Sequence, residues 1–476
     1  MYGNHINGQW IVAPEANRNI NPSNTEDVVG EFARADTAMA DQAVAAAREA
    51  AAPWAGSTPQ QRFDVLDAVG TEILSRREDL GRLLAREEGK ILPEAIGEVT
   101  RAGHIFKFFA GEALRSAGEH QLSVRPEIEV DVVRHPLGVV GLITPWNFPI
   151  AIPAWKIAPA LAYGNAVVFK PAELAPACSW QLAEMLSRAA LPPGTFNLVM
   201  GRGSVIGEHL ANHPGVDGIS FTGSVDVGRR IATLCARRMA RVQLEMGGKN
   251  PLVILDDADL DLAVGAAVNG AYFSTGQRCT ASSRMIVTEK IHDRFVEQLI
   301  DRLRRLKVDD ALEPGTEMGP VVDETQLSKN LSYVEIAQAE GGRLACGGTV
   351  LERRHHGFYM SPALVTETDG TMRINREEVF GPVASVIRVD NYEAALASAN
   401  DTPFGLSAGI CTQSLKHALH FRQHARAGMV MVNLPTAGVD YHVPFGGSKG
   451  SSYGPKEQGR YAAEFFTTTT TCYTKP

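Results

Sequence analysis

Short apolar runs alternate with helix-forming segments through the chain after residue 138, and this alternation restricts the fold more than any other feature. The first series places predicted strands at 139–143, 166–169, 197–199 and 218–221, and predicted helices at 177–190, 204–212 and 225–237. A second series places strands at 251–255, 283–287, 385–389, 407–410 and 429–432, and helices at 260–272 and 291–306. Such a succession favours mostly parallel sheets with helices on both faces. The sequence therefore predicts an α/β protein with two α/β domains.

Three segments lie outside these two series. The first part of the chain is predicted to be helical, over 36–52, 59–88 and 92–117, with Asp36 as an N-cap and Pro53 as the residue that stops the first helix. Residues 122–134 alternate polar and apolar side chains, which predicts an exposed pair of strands. The threonine run at 467–471 is β-prone and is predicted to be a further strand.

Composition excludes several classes of protein. A chain of 476 residues is too long for one compact core. Hydrophobic residues make up 44% and charged residues 21%, which excludes a mainly disordered, collagen-like or coiled-coil protein. The net charge of -8 gives no general attraction to nucleic acid or to an anionic membrane, so we expect neither as a partner.

The sequence also predicts a compartment. The amino terminus MYGNHINGQW lacks the basic residues and the apolar core of a secretory signal. The most apolar stretch, 137–169, contains four prolines and a lysine, which a membrane helix would not tolerate. The six cysteines are scattered and form no CxxC pair, which favours a reducing environment. We therefore expect a cytoplasmic protein.

Two polar residues stand in settings that suit covalent catalysis. Cys279 ends the run GQRC (276–279) on a Gly/Ser/Thr-rich turn, where exposure and nearby N–H donors favour a reactive thiolate. Taken alone, this residue fits an inert buried cysteine equally well. Glu245 lies between an apolar strand and the glycine pair of LEMGGK (244–249), which suits a general base with a raised pKa. Its alternative is a salt-bridged surface carboxylate.

Three loops follow predicted strands, at the carboxyl ends where open α/β sheets bind ligands. TPWNFP (144–149) is rigid, and the amide of Asn147 in it can donate to a developing oxyanion. FTGS (221–224) opens a helix with small residues that suit a phosphate. Lys170 and Glu173 in KPAE (170–173) can hold ribose hydroxyls. Each loop fits a rigid turn or a strand-to-helix cap as well, so both interpretations stay open for each one alone.

Taken together and in this order, the motifs change the interpretation: the chain resembles the NAD(P)-dependent aldehyde dehydrogenase superfamily. The motifs that carry the resemblance are TPWNFP (144–149), KPAE (170–173), FTGS (221–224), LEMGGK (244–249), GQRC (276–279), EEVFGPV (377–383) and PFGGSKGS (444–451). The resemblance implies the aldehyde dehydrogenase fold, with a Rossmann-like cofactor domain at 1–118 and 136–247 and an α/β catalytic domain at 248–446. It also implies a small β bridging element at 119–135 and 447–476. Because an exposed ribbon with unpaired edges needs a partner, we expect this element to join a homo-oligomer, either a dimer or a tetramer.

The resemblance also implies roles for single residues. Cys279 attacks the aldehyde, Asn147 and the Cys279 N–H hold the oxyanion, and Glu245 activates the water that hydrolyses the thioester. The residues assigned to the cofactor are Trp146, Lys170, Ala172, Glu173, Gly203, Gly207, Phe221, Gly223, Ser224, Glu378 and Phe380. Glu173 favours NAD, because a carboxylate bonds the ribose 2′-hydroxyl and repels a 2′-phosphate. Lys170 beside it leaves NADP open as an alternative. The sequence indicates no metal site.

The substrate is predicted from more particular segments. Residues 150–160 and 444–467 are similar to those of 2-oxoglutarate semialdehyde (2,5-dioxopentanoate) dehydrogenases. A substrate with a distal carboxylate needs a cation in the tunnel, and Arg101 is the first candidate and Arg278 the second. Phe148 and Trp155 are the other predicted tunnel residues. Trp155 stands where succinate semialdehyde dehydrogenases usually carry an arginine, which argues against that substrate. Succinate semialdehyde and an aromatic or aliphatic aldehyde stay as alternatives.

Two functions of other classes are weaker hypotheses. A cysteine hydrolase would pair Cys279 with a histidine, yet no such arrangement stands out and the cofactor motifs would have no role. A catalytically silent binding protein would be indicated by the loss of Cys279 or Glu245, and both are present.

Overall fold

The structure, a computed structural model, describes residues 1–115 and 117–476. The first elements are β1 (Asn4–Ile6), β2 (Gln9–Ile11), β3 (Glu15–Asn21), β4 (Asn24–Arg34), α1 (Thr37–Ala55), α2 (Pro59–Ser75), α3 (Arg77–Glu88), α4 (Leu92–Leu114), β5 (Glu119–Leu122), β6 (Glu129–Pro136) and β7 (Val139–Ile143). The next are α5 (Ala151–Ala162), β8 (Ala166–Lys170), α6 (Ala177–Arg188), β9 (Phe196–Leu198), α7 (Glu208–Asn212), β10 (Gly218–Gly223), α8 (Val225–Arg237) and β11 (Arg241–Met246).

The remaining elements belong to the second half of the chain. They are β12 (Pro251–Ile254), α9 (Leu260–Tyr272), β13 (Arg284–Thr288), α10 (Glu289–Arg305), α11 (Glu324–Ala339), β14 (Arg343–Cys346), β15 (Ala363–Thr368), α12 (Arg373–Arg376), β16 (Val383–Val389), α13 (Tyr392–Asn400), β17 (Ser407–Cys411), α14 (Leu415–His424), β18 (Met429–Val432), β19 (Ser452–Tyr453), α15 (Ala463–Phe466) and β20 (Thr467–Thr474).

The first large sheet has a parallel centre in the order β11-β10-β7-β8-β9. β1 and β2 extend it antiparallel beyond β9, and β19 extends it antiparallel beyond β11. β7 and β8 are buried along their whole length and consist almost entirely of apolar residues, as strands covered on both faces must. Since the central strands run in one direction, the loops that follow β7, β8, β10 and β11 gather at one edge.

The second large sheet is also mostly parallel, in the order β15-β16-β13-β12-β17-β18, with β14 antiparallel at its edge. α9 and α10 pack their apolar residues against it. The prediction of two α/β units with parallel sheets is confirmed at the level of the fold. The residue boundaries predicted for the domains stay predictions.

A third, antiparallel sheet joins β20, β6 and β5 in that order. Thr467 pairs with Pro136 at one end of β20 and Thr474 with Glu129 at the other. The threonine run and residues 129–134 of the alternating segment therefore do lie in one sheet. The strand pair predicted within 122–134 is wrong in its bounds, because β5 ends at Leu122 and residues 123–128 connect the two strands. Its role in assembly stays a prediction.

The amino-terminal region differs from the sequence-based prediction. The first part of the chain is not only helical: β1 to β4 precede the predicted helix that starts at residue 36, and no strand was predicted there. β1 and β2 are joined by Asn7 and Gly8, which both have positive φ (51° and 78°). Asn-Gly in this conformation is the strongest short-range signal of a hairpin, and it is present in the sequence.

Several helix boundaries also differ. α1 continues past Pro53 to Ala55, because a proline in the last turn removes a single helical hydrogen bond and leaves the following residues free to stay helical. The predicted helix at 59–88 is broken at Arg76, whose φ of -99° and ψ of 12° separate α2 from α3. The predicted helix at 204–212 begins with a π-helical turn, Gly203–Gly207. α4 ends at Leu114; residue 116, within the prediction 92–117, lies outside the described residues.

Among the residues that the structure describes, no helix combines the length and apolar character that a membrane crossing requires.

Candidate active site

The edge of the first sheet where its parallel strands end carries the predicted loops. β7 leads into the loop of Asn147, β8 ends at Lys170 and β10 ends at Gly223. β11 carries Glu245, paired with Thr222 of β10. The sheet therefore brings together side chains that are far apart in sequence, as parallel α/β sheets do at the carboxyl ends of their strands.

Two cavities meet at Cys279. The first, named here the Trp155 cavity, has a volume of about 290 Å³, and the second, named here the Phe380 cavity, has a volume of about 190 Å³. Predicted residues that line the Trp155 cavity are Arg101, Phe148, Trp155, Glu245, Arg278 and Cys279. Predicted residues that line the Phe380 cavity are Trp146, Asn147, Gly223, Ser224, Cys279, Glu378 and Phe380. A thiol at this junction can react with a molecule in one cavity while it faces a group held in the other.

A strained turn places Cys279 at the junction. Ser274, Thr275 and Gly276 follow α9 with φ values of 51°, 55° and 65°, a left-handed conformation that is rare for residues with a Cβ. A Cβ at Gly276 would collide with the Gly381 carbonyl, so glycine is required there. The buried Gln277 ties the end of the turn, because its side chain accepts from the Val322 N–H at 3.0 Å.

The surroundings of Cys279 favour the protonated form of its thiol. Burial, followed by the negative charges of Glu378 and Glu245, raises its pKa to about 12, and its own backbone N–H acts in the opposite direction. The sequence pattern suggested a thiolate, whereas the surroundings hold a protonated thiol. The difference arises first from burial of the sulfur and then from the carboxylates of distant segments, and the turn alone reveals neither.

Glu245 is almost fully buried, with 2% of its surface exposed. Its Oε1 accepts from the Ser452 hydroxyl, and among the described residues its Oε2 has no hydrogen-bond partner. Burial raises the pKa of Glu245 to about 8, with a further contribution from the charge of Glu457, while the Ser452 hydrogen bond acts in the opposite direction. A carboxyl group with this pKa can gain and lose a proton near neutral pH, which suits a general base.

Asn147 is held by a buried ion pair. Its side-chain Nδ2 donates to the Gln277 backbone carbonyl at 2.9 Å, and its backbone carbonyl accepts from Lys90 Nζ at 2.8 Å. Lys90 also pairs with Glu98 at 2.6 Å, and Glu98 accepts the N–H of Ile150 at 3.2 Å. These contacts fix the loop on both sides of Asn147. They leave the second hydrogen of its amide available to a ligand oxygen near Cys279.

The Phe380 cavity has aromatic and acidic walls. The Trp146 and Phe380 rings meet edge to face, with centroids 5.4 Å apart. Glu378 Oε1 accepts from the Gly248 N–H at 2.9 Å. Thr222, which lines both cavities, has a buried Oγ1 that finds no partner among the described residues. Two aromatic rings and an unsatisfied hydroxyl suit a flat polar ring as the occupant.

A second group of predicted cofactor residues lies together beyond β8. Glu173 Oε1 accepts from the Gly203 N–H at 2.6 Å, and the buried Lys170 ammonium donates to the Pro171 carbonyl at 2.6 Å. Burial lowers the pKa of Lys170 to about 8. Ala172 is half-buried in the connecting loop. A carboxylate and an amine held side by side can grip a diol.

Phe221 and Gly207, like Lys170, are predicted cofactor residues that are buried. Phe221 lies in the hydrophobic core of the first sheet, and a Cβ on Gly223 would meet its ring at 2.5 Å. Gly207 ends the π-helical turn and is buried, with Ile143 as the nearest side chain. The structure therefore places Phe221 beneath the phosphate-type loop rather than on the wall of the Phe380 cavity. The motif FTGS could not distinguish these two positions.

The charged residues of the Trp155 cavity are not equivalent. Lys90 pairs with Glu98 at 2.6 Å, and Arg278 pairs with Glu94 at 2.9 Å. Within the described part of the chain Arg101 forms no ion pair, and its buried Nε has no hydrogen-bond partner. Arg101 Nη2 donates to Gln458 Oε1 at 3.1 Å, and its guanidinium lies 5.6 Å from the centroid of the Trp155 ring. Of the two predicted arginines, Arg278 is thus neutralised by an ion pair, whereas Arg101 has only the charges of Glu98 and Asp440 nearby, beyond ion-pair distance.

The sequence interpretation missed a buried network behind Glu245. Glu457 forms an ion pair with Lys156, and it accepts from Trp155 Nε1 at 2.7 Å. Lys156 was noted in the sequence only as a residue that excludes a membrane helix. Partners some 300 residues apart carry no local pattern, so spacing alone could not have found this network.

One group of three residues has the composition of a metal site within the described ranges: Asp41, His209 and His213. It lies on α1, α7 and the residue after α7, among half-buried or exposed side chains, and outside both cavities. The N–H of Gly215 donates to His213 Nδ1 at 2.9 Å, so the neutral ring carries its proton on Nε2, the atom that faces Asp41. That proton occupies the position that a metal ion would need.

Comparisons with known proteins give a consistent result. A sequence model described as "Aldehyde dehydrogenase family" matches residues 10–472. The alpha-ketoglutaric semialdehyde dehydrogenase of Bacillus subtilis is 43% identical and covers 100% of this chain and 98% of its own. The 2,5-dioxopentanoate dehydrogenase of Saccharolobus solfataricus is 38% identical over 98% of both chains. A crystal structure of betaine aldehyde dehydrogenase from Staphylococcus aureus in complex with NAD+ matches with a TM-score of 0.97 and 35% identity, over 100% of this chain and 95% of its own.

Proposed function

The chain belongs to the aldehyde dehydrogenase family and is an aldehyde-oxidising oxidoreductase, and from this premise we propose that it oxidises 2-oxoglutarate semialdehyde to 2-oxoglutarate with NAD. The fold predicted from the sequence is confirmed by the match to solved members at a TM-score of 0.97. The residue roles below are part of the proposal.

In this proposal Cys279, Asn147 and Glu245 carry out the chemistry. The Cys279 sulfur adds to the aldehyde carbon as its thiol proton passes to solvent, and the resulting oxyanion accepts from Asn147 Nδ2 and the Cys279 N–H. After hydride leaves this carbon, a thioester joins the acyl group to Cys279. Glu245, in the same cavity, takes a proton from water, which attacks the thioester and releases the acid and the free thiol.

The described residues fit a nicotinamide cofactor. Trp146, Phe380 and the unsatisfied hydroxyl of Thr222 form a cavity for a flat polar ring next to Cys279. The pair of Glu173 and Lys170 suits the ribose, and the carboxylate favours NAD over NADP. When bound, NAD accepts the hydride that the substrate carbon loses. Glu378 borders the same cavity and is held by the Gly248 N–H, so it can orient the second ribose.

The lack of an ion pair at Arg101 among the described residues is the observation that carries the substrate assignment. A half-buried guanidinium that forms no ion pair is costly, and a substrate carboxylate would satisfy it. The same charge would repel the cationic substrates named for betaine aldehyde and aminoaldehyde relatives. The relatives named for alpha-ketoglutarate semialdehyde and 2,5-dioxopentanoate, which share 38–43% identity with this chain, support the same substrate.

Steady-state kinetics test this assignment. NADH absorbance would be followed with 2-oxoglutarate semialdehyde, succinate semialdehyde, benzaldehyde and betaine aldehyde, with NADP as a parallel series. We expect 2-oxoglutarate semialdehyde to have the highest kcat/KM. Arg101→Ala should lower kcat/KM for this substrate roughly 10- to 100-fold, the value of a charge-assisted contact, and change benzaldehyde oxidation little.

Arg278→Ala is the matched control, because it removes an arginine of the same cavity that Glu94 already neutralises. An uncharged aldehyde as the best substrate, or equal losses for both aldehydes in Arg101→Ala, would contradict the assignment.

We further propose that the chain forms a homo-oligomer through the sheet of β5, β6 and β20, and that it works in the cytoplasm. Exposed apolar side chains beside this sheet, such as Leu122 and Val124, support the first proposal. The six free cysteines support a reducing compartment.

A further inference from the structure

We propose that Gln458 is a specificity-determining positioning residue: its amide aims the Arg101 guanidinium at the distal carboxylate of the substrate without neutralising its charge. The proposal rests on the function proposed above, in which Arg101 binds that carboxylate. It concerns a residue that touches Arg101 rather than the substrate.

Gln458 is held in a demanding conformation. It is fully buried, and its φ of 60° lies in the left-handed region, which a residue with a Cβ adopts only when its surroundings impose it. In this conformation its Oε1 accepts from Arg101 Nη2 at 3.1 Å. Its Nε2 is buried and has no partner among the described residues. The backbone is thus strained at the point where the amide meets the guanidinium, and strain of this kind concentrates at functional sites.

The residue before Gln458 fixes the other side of the guanidinium. Glu457 accepts from Trp155 Nε1 at 2.7 Å and is neutralised by Lys156. The Trp155 ring lies 5.6 Å from Arg101 Cζ, within the range of a cation–π contact. Two consecutive residues therefore hold the Arg101 guanidinium. Gln458 accepts a hydrogen bond from its Nη2, and Glu457 fixes the Trp155 ring that the guanidinium contacts.

The chemistry of the amide explains why glutamine suits this position. The other two cations of the Trp155 cavity, Lys90 and Arg278, are paired with carboxylates and have no net charge to offer a substrate. An amide oxygen accepts one hydrogen bond from a guanidinium but carries no charge, so the remaining donors of Arg101 keep their attraction for an anion. A carboxylate of almost the same shape at 458 would cancel that attraction.

The substitution Gln458→Glu tests the role of the uncharged amide directly. It replaces the amide with a carboxylate of nearly the same shape, which would form an ion pair with Arg101. We expect the KM for 2-oxoglutarate semialdehyde to rise about tenfold or more, with kcat changed less than about twofold. The KM for benzaldehyde should stay within about twofold of the unsubstituted enzyme, since that substrate has no carboxylate. Gln423→Glu adds the same charge at an exposed position of α14 that lines neither cavity, and it is the matched control.

Gln458→Met separates charge from position and keeps the proposal testable where the charged variant does not fold. Methionine removes the hydrogen bond to the Arg101 guanidinium without neutralising its charge. We therefore expect the KM for 2-oxoglutarate semialdehyde to rise less than in Gln458→Glu, and the KM for benzaldehyde not to rise. Calorimetric binding of 2-oxoglutarate, the dicarboxylate product, should weaken in the same order: unsubstituted enzyme, Gln458→Met, Gln458→Glu. This second measurement does not depend on turnover.

The outcomes are distinguishable. Equal losses for both aldehydes in Gln458→Glu and Gln458→Met would show a merely structural role and overturn the inference. Selectivity lost in Arg101→Ala but kept in both Gln458 variants would also overturn it, while leaving the proposed function intact. Selectivity unchanged in Arg101→Ala would overturn the proposed substrate contact itself.

Discussion

At the scale of single residues, the proposed base and nucleophile are both held in their neutral forms. Burial raises the pKa of Glu245 to about 8 and that of Cys279 to about 12. The two groups lie in one cavity, where each negative charge disfavours the other. The resting site thus holds a thiol beside a carboxyl group that is largely protonated at pH 7. Reactivity then depends on groups that enter the cavities.

The pKa of Glu245 gives a prediction about thioester hydrolysis. A general base acts when deprotonated, so we expect the hydrolysis rate to rise about tenfold per pH unit below pH 8 and to level off above it. Rapid-mixing measurement of acyl-enzyme breakdown between pH 5.5 and 9.5 would give this profile. Glu245→Gln should abolish the rise and let the acyl-enzyme accumulate.

Ser452→Ala tests more specifically whether the pKa of Glu245 sets this pH profile. The Ser452 hydroxyl donates to Glu245 and lowers its pKa, so removing it should shift the profile toward higher pH. Tyr453→Phe, in the same strand with an exposed side chain, should leave the profile in place. A profile that is flat in the unsubstituted enzyme, or that moves toward lower pH in Ser452→Ala, would rule out Glu245 as the base.

At the scale of elements, the ion pair of Lys90 and Glu98 links α4 to the loop before α5. Glu98 accepts the N–H of Ala151 at 3.1 Å, at the start of α5, and Lys90 donates to Asn147. Both side chains are almost completely buried. The amide proposed to hold the oxyanion therefore depends on a contact made by two other segments.

Removing one partner of this pair should be costly. Glu98→Gln keeps the shape of the side chain but leaves the Lys90 charge without its nearest carboxylate, and a buried pair broken in this way loses about 3–5 kcal/mol. We expect a lower melting temperature and a lower kcat. The double variant Lys90→Met/Glu98→Gln should recover part of the melting temperature but not the kcat, because Asn147 stays unsupported.

Thermal unfolding and steady-state kinetics on Glu98→Gln, Lys90→Met and the double variant check this prediction. Lys107→Met, which breaks the partly exposed pair with Asp67 on α2, serves as a control of small effect. Additive losses in the double variant would mean that Lys90 and Glu98 do not act as a pair.

The elements also show what the sequence could and could not predict. α8, α9 and β18 have the predicted bounds, because each has a strong periodic or apolar pattern bounded by clear turn residues. The β1–β2 hairpin was missed although its Asn-Gly turn is a local signal. The break at Arg76 has no comparable signal, since its neighbours form helices readily.

The residues of the candidate site likewise fall into those that local motifs reveal and those that only tertiary packing brings together. Cys279, Glu245 and Asn147 could be identified because local motifs carry them. The neutralisation of Arg278 by Glu94, some 184 positions away, and the contact of Arg101 with Gln458, 357 positions away, depend on tertiary packing. Sequence spacing has no access to such contacts, and they decide which arginine can bind a carboxylate.

At the scale of the whole molecule, the sheet of β5, β6 and β20 stands apart from the two large sheets. β20 pairs with β6 on one side, and its other edge meets no strand in the described part of the chain. Its side chains from Thr469 to Thr474 are exposed. A free edge of eight residues is a template for pairing with another chain, and native monomers normally block such edges.

Removal of this strand should therefore change the oligomeric state. A chain ending at Phe466 keeps the contact of the Phe466 carbonyl with the Leu137 N–H but lacks β20, and we expect it to sediment as a smaller species than the full chain. A chain ending at Thr474 keeps all of β20 and should assemble normally. Light scattering and analytical ultracentrifugation at matched concentrations would measure both. If the chain ending at Phe466 assembles as the full chain does, the subunits associate through another surface. The exposed edge of β20 would then be protected from pairing only by its threonine side chains and its twist.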